Sequence, residues 1–485
     1  MNLSNQKINI NLLDLPKHLY KISINKEIIG LILKDIQLKG KNLYQEFSKL
    51  KSQENKNIFS IKKTFLTEWK FGHRIPVDCF ELLCKLSNKE VLEFQKYIHK
   101  VFLKSSRNEW NIKFPIEFDK DLFLISEAIR TEGNIIKGRN KNNKLQGIAI
   151  SNKDVYLLKT VEKALNTHNI NSGFSRILVV TIFLNANKVS KVVSNANNKN
   201  IHFSFNGGKL IFSEQVPNYE INKEYSIYFE NKVENVKIKI SDKNLISMES
   251  ILKGKCSIIL QVYNSVFANF LSNFFSIPYG IGIEKTYTID FPFDIHTLPD
   301  NTLKTILNIG TSSEGAVFFN KNKGDRIIKI KLASKKYLEK IQLMFNRFRI
   351  DSKITKASEE RLYFLNIRKK KNFERLFNLV SLYVKYKQDI LKNIVNSYVN
   401  GRMPYYEAKS NYLQILKNLG PTTLRNISKM TNMNYDTLIG VYRRLEKGGY
   451  VEKYGRKFLG TKTTPSNYKI STKGLKYITH EYTKN

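Results

Sequence analysis

The strongest constraint on the fold is a short pattern that occurs twice along the chain. In each copy an apolar run with helical spacing ends in Glu-Gly, and a strand-like continuation follows. The first copy is "RTEGNI", with Glu132 and Gly133, and the second is "SSEGAV", with Glu314 and Gly315. Glycine directly after the last residue of a helical period is a typical helix stop. The pattern therefore predicts two helices that both end in a carboxylate.

The segments around the two copies follow the same order of predicted elements, namely helix, strand, strand and helix. We interpret this repetition as an internal duplication within residues 111–400, with repeat one over 115–295 and repeat two over 296–400. Repeat one is longer because it carries an insertion at about 175–250, where apolar and polar residues alternate as they do in strands. The predicted fold class is α+β.

The segments on either side of the duplicated unit predict DNA-binding domains. Residues 1–110 are predicted to be helical, and "TEWKFGHRIPVDCFELLCKL" places a basic helix, a turn at Gly72 and a second helix after Pro76, as in a helix-turn-helix. An ordinary helical bundle with a solvated basic face fits this segment equally well. Residues 405–485 give two helices and then two strands after a Gly-Gly turn, which predicts a winged helix-turn-helix. The candidate DNA contacts in these two domains are Lys62, Lys63, Lys70, Arg74, Arg443, Arg444 and Lys457.

The charge of the chain indicates a polyanionic partner. Lys and Arg number 81 against 42 Asp and Glu, a formal net charge of +39, and the excess runs along the whole length. A compositional bias toward Lys would explain the lysines but not the shortage of acids. We expect double-stranded DNA as the partner, because a strongly positive field attracts phosphates over a long range. DNA is favoured over RNA because a winged helix suits a major groove.

Neither the cysteines nor the hydropathy pattern predicts a disulfide framework, a zinc site or a membrane span. Cys79, Cys84 and Cys256 form no CxxC pair and are odd in number. No apolar run approaches the roughly 18 residues of a membrane-spanning helix, and the first residues lack the apolar core of a signal peptide. We expect a cytoplasmic, nucleoid-associated monomer that does not contact a membrane.

The two helix-terminal glutamates carry the chemical argument. A carboxylate in the last turn faces the negative end of the helix macrodipole, and a single residue of this kind normally points into water. Two such carboxylates at the ends of paired helices would repel each other unless a cation lay between them. An oxygen-preferring divalent ion such as Mg²⁺ or Mn²⁺ suits this position. Beside DNA, such an ion would activate water for phosphodiester hydrolysis.

The segments "LISEAIRTEGNI" and "LNIGTSSEGAV" resemble degenerate copies of the LAGLIDADG motif. Two further stretches, "FSIPYGIGIEKTYTIDFP" and "IIKIKLASKKYLEKIQLMFNRFRIDSKI", are similar to archaeal-type members of that family, so the resemblance covers about 115–400. It implies two αββαββα halves related by a pseudo-twofold axis, with β-saddles that lie in the DNA major groove.

The resemblance also implies a set of site residues. Glu132 and Glu314, each with its following Gly133 or Gly315, would bind the metal. A lysine that assists the attacking water would be Lys285 in repeat one and Lys356 in repeat two. Lys285 is the better match of the two; the alternative for each is a phosphate contact or a solvated side chain, which fits Lys356 at least as well.

Four residues depart from the family motif. Arg130 and Ser312 replace its first acid, and Glu127 and Asn308 are polar where paired helices prefer small or apolar side chains. These substitutions indicate a helix interface that has drifted from the family pattern.

Two functions fit this sequence. The first is a site-specific DNA endonuclease of homing type that uses Mg²⁺ or Mn²⁺. The alternative is a non-cleaving transcriptional regulator with a degenerate LAGLIDADG domain. Retention of both acids favours the nuclease, whereas a C-terminal winged helix is more usual in regulators. A role in RNA, such as intron splicing, is a third possibility.

Overall fold

The computed structural model describes residues 9–38, 43, 45, 68–104, 108–138, 144–170, 176–241, 244–279, 287–320, 325–357, 361–398, 405–431, 433, 435–454, 458–459, 462–463 and 467–482. Within these ranges the protein is α+β, which confirms the predicted class. The described residues form two hydrophobic cores. The larger core takes its residues from Ile10 to Ile394 along the chain, and the smaller core from Leu413 to Ile478. No helix in the described ranges is long and apolar enough to cross a membrane.

The N-terminal region combines a four-stranded antiparallel sheet, of order β3-β2-β4-β5, with helices. Its elements are β1 (Asn9–Ile10), β2 (Tyr20–Ile24), α1 (Lys26–Leu38), β3 (Ile75–Pro76), α2 (Val77–Leu86), α3 (Val91–Phe94), β4 (Ile98–Leu103), β5 (Glu109–Asn111) and β6 (Ile116–Glu117), with 3-10 turns at Leu12–Asp14 and Gln95–Tyr97.

The prediction that residues 1–110 are helical is wrong for the described part of this region. The strands are short and lie between helices with a stronger period, so the sequence pattern favoured helix. The turn at Gly72 is present, with φ of +74° and no room for a Cβ atom beside the carbonyl of Ile24. Helix α2 begins directly after Pro76, as predicted. The basic helix that was expected from Ser60 through Trp69, before Gly72, falls mostly on residues 60–67, outside the described residues.

The first α/β unit follows. It contains α4 (Lys120–Glu132), β7 (Gly133–Lys137), β8 (Leu145–Asn152), α5 (Val155–Thr167), β9 (Arg176–Leu184), then β10 (Val189–Ser194), β11 (Lys199–Asn200), β12 (Phe203–Asn206), β13 (Lys209–Val216), β14 (Asn222–Phe229), β15 (Val233–Ile240), β16 (Ile246–Glu249), and finally β17 (Gly254–Val262) and α6 (Ser265–Phe275).

The strand-rich insertion lies between β9 and β17. Five of its strands form a separate antiparallel sheet of order β11-β10-β14-β15-β16. The hairpin of β12 and β13 instead extends the unit's main sheet, whose order is β12-β13-β9-β17-β8-β7. The alternation in the sequence therefore predicts strands here, but it does not divide them between two sheets.

The second α/β unit has no such insertion. It contains α7 (Asp300–Glu314), β18 (Gly315–Asn320), β19 (Asp325–Leu332), α8 (Lys335–Arg347), β20 (Ser352–Lys356), β21 (Tyr363–Ile367) and α9 (Lys370–Leu379). Its sheet order is β18-β19-β21-β20, and the corresponding strands of the first unit have the order β7-β8-β17-β9. If the insertion is left out and the strands of each unit are counted along the chain, both orders are first, second, fourth, third.

The long helix predicted from Asn372 towards Val399 is wrong, because the chain breaks after α9 and resumes as α10 (Lys385–Asn396). In the break Val380, Leu382 and Val384 are buried while Ser381 is exposed, a period of two that suits extended chain. The backbone N–H of Tyr383 donates to Ser312 Oγ at 2.9 Å, so the break crosses the end of α7.

The C-terminal region has its own small core. Its elements are α11 (Tyr405–Leu419), β22 (Thr422–Thr423), α12 (Leu424–Thr431), α13 (Tyr435–Lys447), β23 (Val451–Tyr454), β24 (Phe458–Leu459), β25 (Lys462–Thr463), β26 (Asn467–Ile470) and α14 (Thr472–Tyr482). Strands β22, β26 and β23 form one sheet and β24 pairs with β25. The winged helix-turn-helix remains a prediction for this region.

Candidate functional site

The two helices that carry the Glu-Gly endings pack against each other. Helices α4 and α7 are in contact along their length, and Thr131 Oγ1 lies 3.2 Å from Ser313 Oγ, within hydrogen-bonding distance. These are the residues that directly precede Glu132 and Glu314. The structure therefore brings both glutamates, each half-buried, to the same end of the helix pair.

Both glycines after the glutamates are required by packing. A Cβ atom on Gly133 would lie 2.6 Å from the carbonyl oxygen of Ala149, and one on Gly315 would lie 2.3 Å from that of Thr311. The backbone can turn from helix to strand at these points because no side chain is present. The metal-binding role expected for Gly133 and Gly315 remains a prediction, and their packing role accounts for the residue type.

Replacing Gly315 with alanine is expected to destabilise the protein by about 1–3 kcal/mol, because the added methyl group overlaps backbone rather than a movable side chain. Urea unfolding followed by circular dichroism measures the change. Gly30→Ala is the matched control, since Gly30 is exposed in α1 with nothing within 4 Å of its Cβ position. A stability loss as large in Gly30→Ala would contradict the packing argument.

A lysine that the sequence analysis did not identify lies at the converged helix ends. Lys387, in the first turn of α10, is 8 % exposed. Its Nζ donates to the carbonyl oxygens of Ser312, at 2.5 Å, and Ser313, at 3.1 Å, in the last turn of α7. Burial lowers the pKa of Lys387, and the negative charges of Glu132, Glu314 and Asp154 oppose that shift. An ammonium group thus lies at the end of the helix pair at which the sequence predicted a metal ion.

No motif in the sequence marks Lys387, which lies far along the chain from both glutamates. The signal that could have found it is the run "VSLYV" after α9, in which apolar residues recur at every second position. That run breaks the helical period and turns α10 back across the helix ends.

A polar pocket of about 380 Å³ opens beside this ammonium group. Asp154, which is 2 % exposed, caps α5 by accepting from the N–H of Leu157 at 2.9 Å. Its other oxygen, Oδ2, accepts no hydrogen bond from the described part of the chain, and burial raises the pKa of this carboxyl. The pocket is lined by Glu132, Ser151, Asn152, Lys153, Asp154, Leu245, Ser257, Ser312, Ser313, Val384, Tyr386 and Lys387.

The other predicted site residues are placed apart from this pocket or are not described. Within the described chain, the pocket lining does not include Lys356, which ends the edge strand β20 and is exposed. Lys285 lies outside the described residues. So do three of the candidate DNA contacts, Lys62, Lys63 and Lys457. The remaining candidates are exposed, as a DNA contact requires, and they are Lys70, Arg74, Arg443 and Arg444.

The polar departures from the family motif form a buried network. Arg130 Nη1 donates to Glu127 Oε2 at 2.8 Å, and Arg130 Nη2 donates to the carbonyl of Phe275 at 2.8 Å. The hydroxyl of Tyr337, on α8 of the second unit, donates to Glu127 Oε1. Burial raises the pKa of Glu127, while Arg130 and Tyr337 oppose the shift. Polar residues are tolerated in this helix interface because they pair with each other.

Asn308 and Ser312 also form hydrogen bonds with polar groups in the helix interface. Ser312 Oγ donates to Asn308 Oδ1 at 3.3 Å and accepts from the backbone N–H of Tyr383. Ser312, which replaces the first acid of the family motif, thus holds the break between α9 and α10 against α7.

Residues 311–381, which cover most of the second α/β unit, match the family described as LAGLIDADG-like domain. No curated protein matches the chain. Among solved structures, mesophilic variants of the homing endonuclease I-DmoI are 11 % identical, with a TM-score of 0.30, over 56 % of this chain and 97 % of that one.

Two further solved structures give similar values. I-DmoI in complex with DNA and Ca is 11 % identical with a TM-score of 0.28, over 54 % of this chain and 93 % of that one. Full-length DUF199/WhiA from Thermotoga maritima is 11 % identical with a TM-score of 0.28, over 70 % of this chain and 93 % of that one. At these values the likeness does not decide between functions, which are inferred from the residues of the chain itself.

Proposed function

We propose that the protein binds double-stranded DNA in a sequence-specific manner without cutting it, as a transcriptional regulator with a degenerate LAGLIDADG domain. The predicted helix-turn-helix and winged-helix regions would extend the recognised site. Lys70 and Arg74 would hold phosphates on one side, and Arg443 and Arg444 on the other. Because both α/β units belong to one chain, it would bind as a monomer.

DNA binding is supported by the open face of the second sheet. Its register places Lys329 opposite Asn366, and Asn366 opposite Lys353, in one row across three strands. The next row is Lys331, Phe364 and Thr355. All three lysines are exposed, whereas the alternate residues on these strands, such as Ile330, Leu365 and Ile367, are buried on the helix side.

This arrangement supplies the two kinds of group that DNA recognition needs. Exposed lysines bind phosphates, while amide and hydroxyl side chains on the same strands hydrogen-bond to base edges. The sequence alone could not give these positions, because a shift of one residue in the strand register moves every side chain to the opposite face.

The absence of cleavage in our proposal rests on one observation, the ammonium group of Lys387 at the converged helix ends. The carbonyls of Ser312 and Ser313, which directly precede Glu314 at the end of α7, accept its hydrogen bonds. The described residues contain no group of three or more His, Cys, Asp or Glu able to hold a metal ion. In our proposal the ammonium group of Lys387 takes the place of a divalent ion at this site.

An endonuclease is the second candidate, and the convergence of Glu132 and Glu314 favours it. In that hypothesis the two acids would bind Mg²⁺ or Mn²⁺ after Lys387 had moved away. Lys356, and Lys285 outside the described residues, stay the predicted lysines that would assist the attacking water.

The two hypotheses differ in what happens to a bound duplex. Duplexes selected from a random library in Ca²⁺ would be incubated in Mg²⁺ or Mn²⁺ with the wild type, Glu132→Gln and Glu314→Gln. We expect tight, sequence-specific binding and intact strands with all three proteins. Cleavage by the wild type that is lost in both variants would overturn our proposal and establish the endonuclease. Equal binding of RNA of the same sequence would argue against a DNA-specific role.

A further inference from the structure

We infer that the N-terminal region binds single-stranded nucleic acid, with unpaired bases stacked on the rings of Phe71 and Tyr97 and phosphates bound by the lysines beside them. This binding goes beyond the proposed function, because both rings lie outside the two α/β units and the base pairs of a duplex present only their edges. It gives a role to two exposed aromatic side chains that the proposed duplex contacts do not use.

The end of strand β2 brings the two rings to one place. The N–H of Ile24 donates to the carbonyl oxygen of Gly72, directly after Phe71, at 2.9 Å. The N–H of the next residue, Asn25, donates to the carbonyl oxygen of Tyr97 at 3.2 Å. The two aromatic residues thus lie on segments at either side of β2, which places their backbones about 10 Å apart, or two strand spacings. One short oligonucleotide can contact both rings over that span.

Both rings are exposed although nearby residues in the same segments are buried. Phe71 is 48 % exposed and Tyr97 is 39 % exposed. In contrast, Trp69 and Ile98 are 3 % and 1 % exposed and belong to the larger hydrophobic core. These buried residues anchor the two segments, so the rings are presented on fixed backbone. A ring that is already in place loses little conformational freedom when a base stacks on it.

A lysine lies beside each ring. Lys26 Nζ is 4.9 Å from the centre of the Phe71 ring, and Lys96 Nζ is 5.0 Å from the centre of the Tyr97 ring. Both lysines are exposed. Each pair therefore offers a nucleotide its two kinds of contact, a π-face for the base and an ammonium group for the phosphate.

The charge around the two rings also favours a polyanion. Segments 24–27, 68–74 and 95–99 contain four Lys and Arg residues against two acids, Glu27 and Glu68. Stacking on aromatic rings and attraction of phosphates are the contacts by which proteins bind single strands, and neither needs a particular base sequence. We therefore expect binding with little sequence preference, unlike the duplex contacts proposed for the second unit.

The test is fluorescence anisotropy of short labelled oligo(dT) and oligo(U), titrated with the full-length protein in metal-free buffer. We expect Phe71→Ala and Tyr97→Ala each to weaken binding about tenfold, and the double variant on the order of 100-fold, because each change removes one stacked base. Tyr97→Phe keeps the ring and should bind as the wild type does. Leu92→Ala is the matched control, since Leu92 is an apolar side chain of the same region that is 45 % exposed and has no ring. An equal loss in Leu92→Ala would contradict a role of stacking.

Two further probes separate stacking from charge and from misfolding. An abasic oligonucleotide, which has phosphates but no bases, should bind the wild type and the double variant equally. A mixed-sequence duplex should also bind both proteins equally, which shows that the double variant is folded. Equal affinity of the two proteins for the single strands, or an equal loss of duplex affinity, would overturn the inference. So would the absence of single-strand binding by the wild type, which would favour an acidic protein as the partner. No selected duplex and no divalent ion is present, so this outcome is independent of the binding and cleavage experiment.

Discussion

Replacing Lys329, Lys331 and Lys353 together with alanine is expected to weaken binding of the selected duplex by on the order of 100-fold, because each exposed lysine would lose a phosphate contact. The slope of log K against log salt should also become shallower by about 0.9 for each phosphate contact that is lost. Fluorescence anisotropy at several salt concentrations measures both quantities.

The matched control removes the same charge from the opposite side of the second unit. Lys335, Lys336 and Lys340 lie on α8, which covers the helix side of the sheet. Their triple alanine variant should bind the duplex within a few fold of the wild type. If both triple variants lost affinity equally, the attraction would come from the overall charge of +39 and not from the sheet face.

The first sheet is expected to contribute less of this electrostatic affinity. On its open face Ile177, Val179 and Ile259 are half-buried, and Val179 pairs directly with Ile259. The corresponding face of the second sheet carries lysines in this central region. The two units share a strand order but not a surface, so we propose that phosphate contacts concentrate on the second unit.

The sequence predicted the helix pair well because its signal is local. The apolar period, the terminal glutamate and the following glycine lie within one short segment in each copy, and α4 and α7 end at Glu132 and Glu314 as expected. The strands beside them also follow from local alternation. Elements of this kind depend on residues that are close together in the chain, so the pattern of a single sequence is enough to predict them.

The occupant of the site could not be predicted in the same way. Lys387 reaches Ser312 and Ser313 because the chain breaks between α9 and α10, and the energy that favours the break comes from burying Val380, Leu382 and Val384. Burial of this kind against the rest of the protein breaks the helix, although the spacing of apolar residues in the sequence still fits one. Glu127 and Arg130 likewise look unfavourable for a helix interface in the sequence, because their partner Tyr337 lies in the other α/β unit, far along the chain.

That network gives the largest expected loss of stability. Arg130→Met should lower the free energy of unfolding by about 3–5 kcal/mol at pH 8, because it leaves the carboxylate of Glu127 buried without its charged partner. Glu127 and Arg130 are 0 % and 2 % exposed, so water cannot replace the lost contact. Adding Glu127→Gln to Arg130→Met should recover a large part of the loss, since a neutral amide can still accept from Tyr337. Lys335→Met, which breaks an exposed pair with Glu339, should cost less than about 1 kcal/mol.

The pH dependence separates a buried charge from a simple packing defect. Burial raises the pKa of Glu127 in the folded protein, and loss of Arg130, which opposes that shift, raises it further. A carboxyl group can have a higher pKa in the folded state than its unfolded value of about 4.3. At a pH below that unfolded value, such a group does not lower the free energy of unfolding. As the pH rises, the unfolded state ionises first and is favoured. The difference in unfolding free energy between the wild type and Arg130→Met should therefore grow from pH 4.5 to pH 8 in urea titrations. A difference independent of pH would show that Arg130 acts through packing against Phe291 and Tyr337 alone.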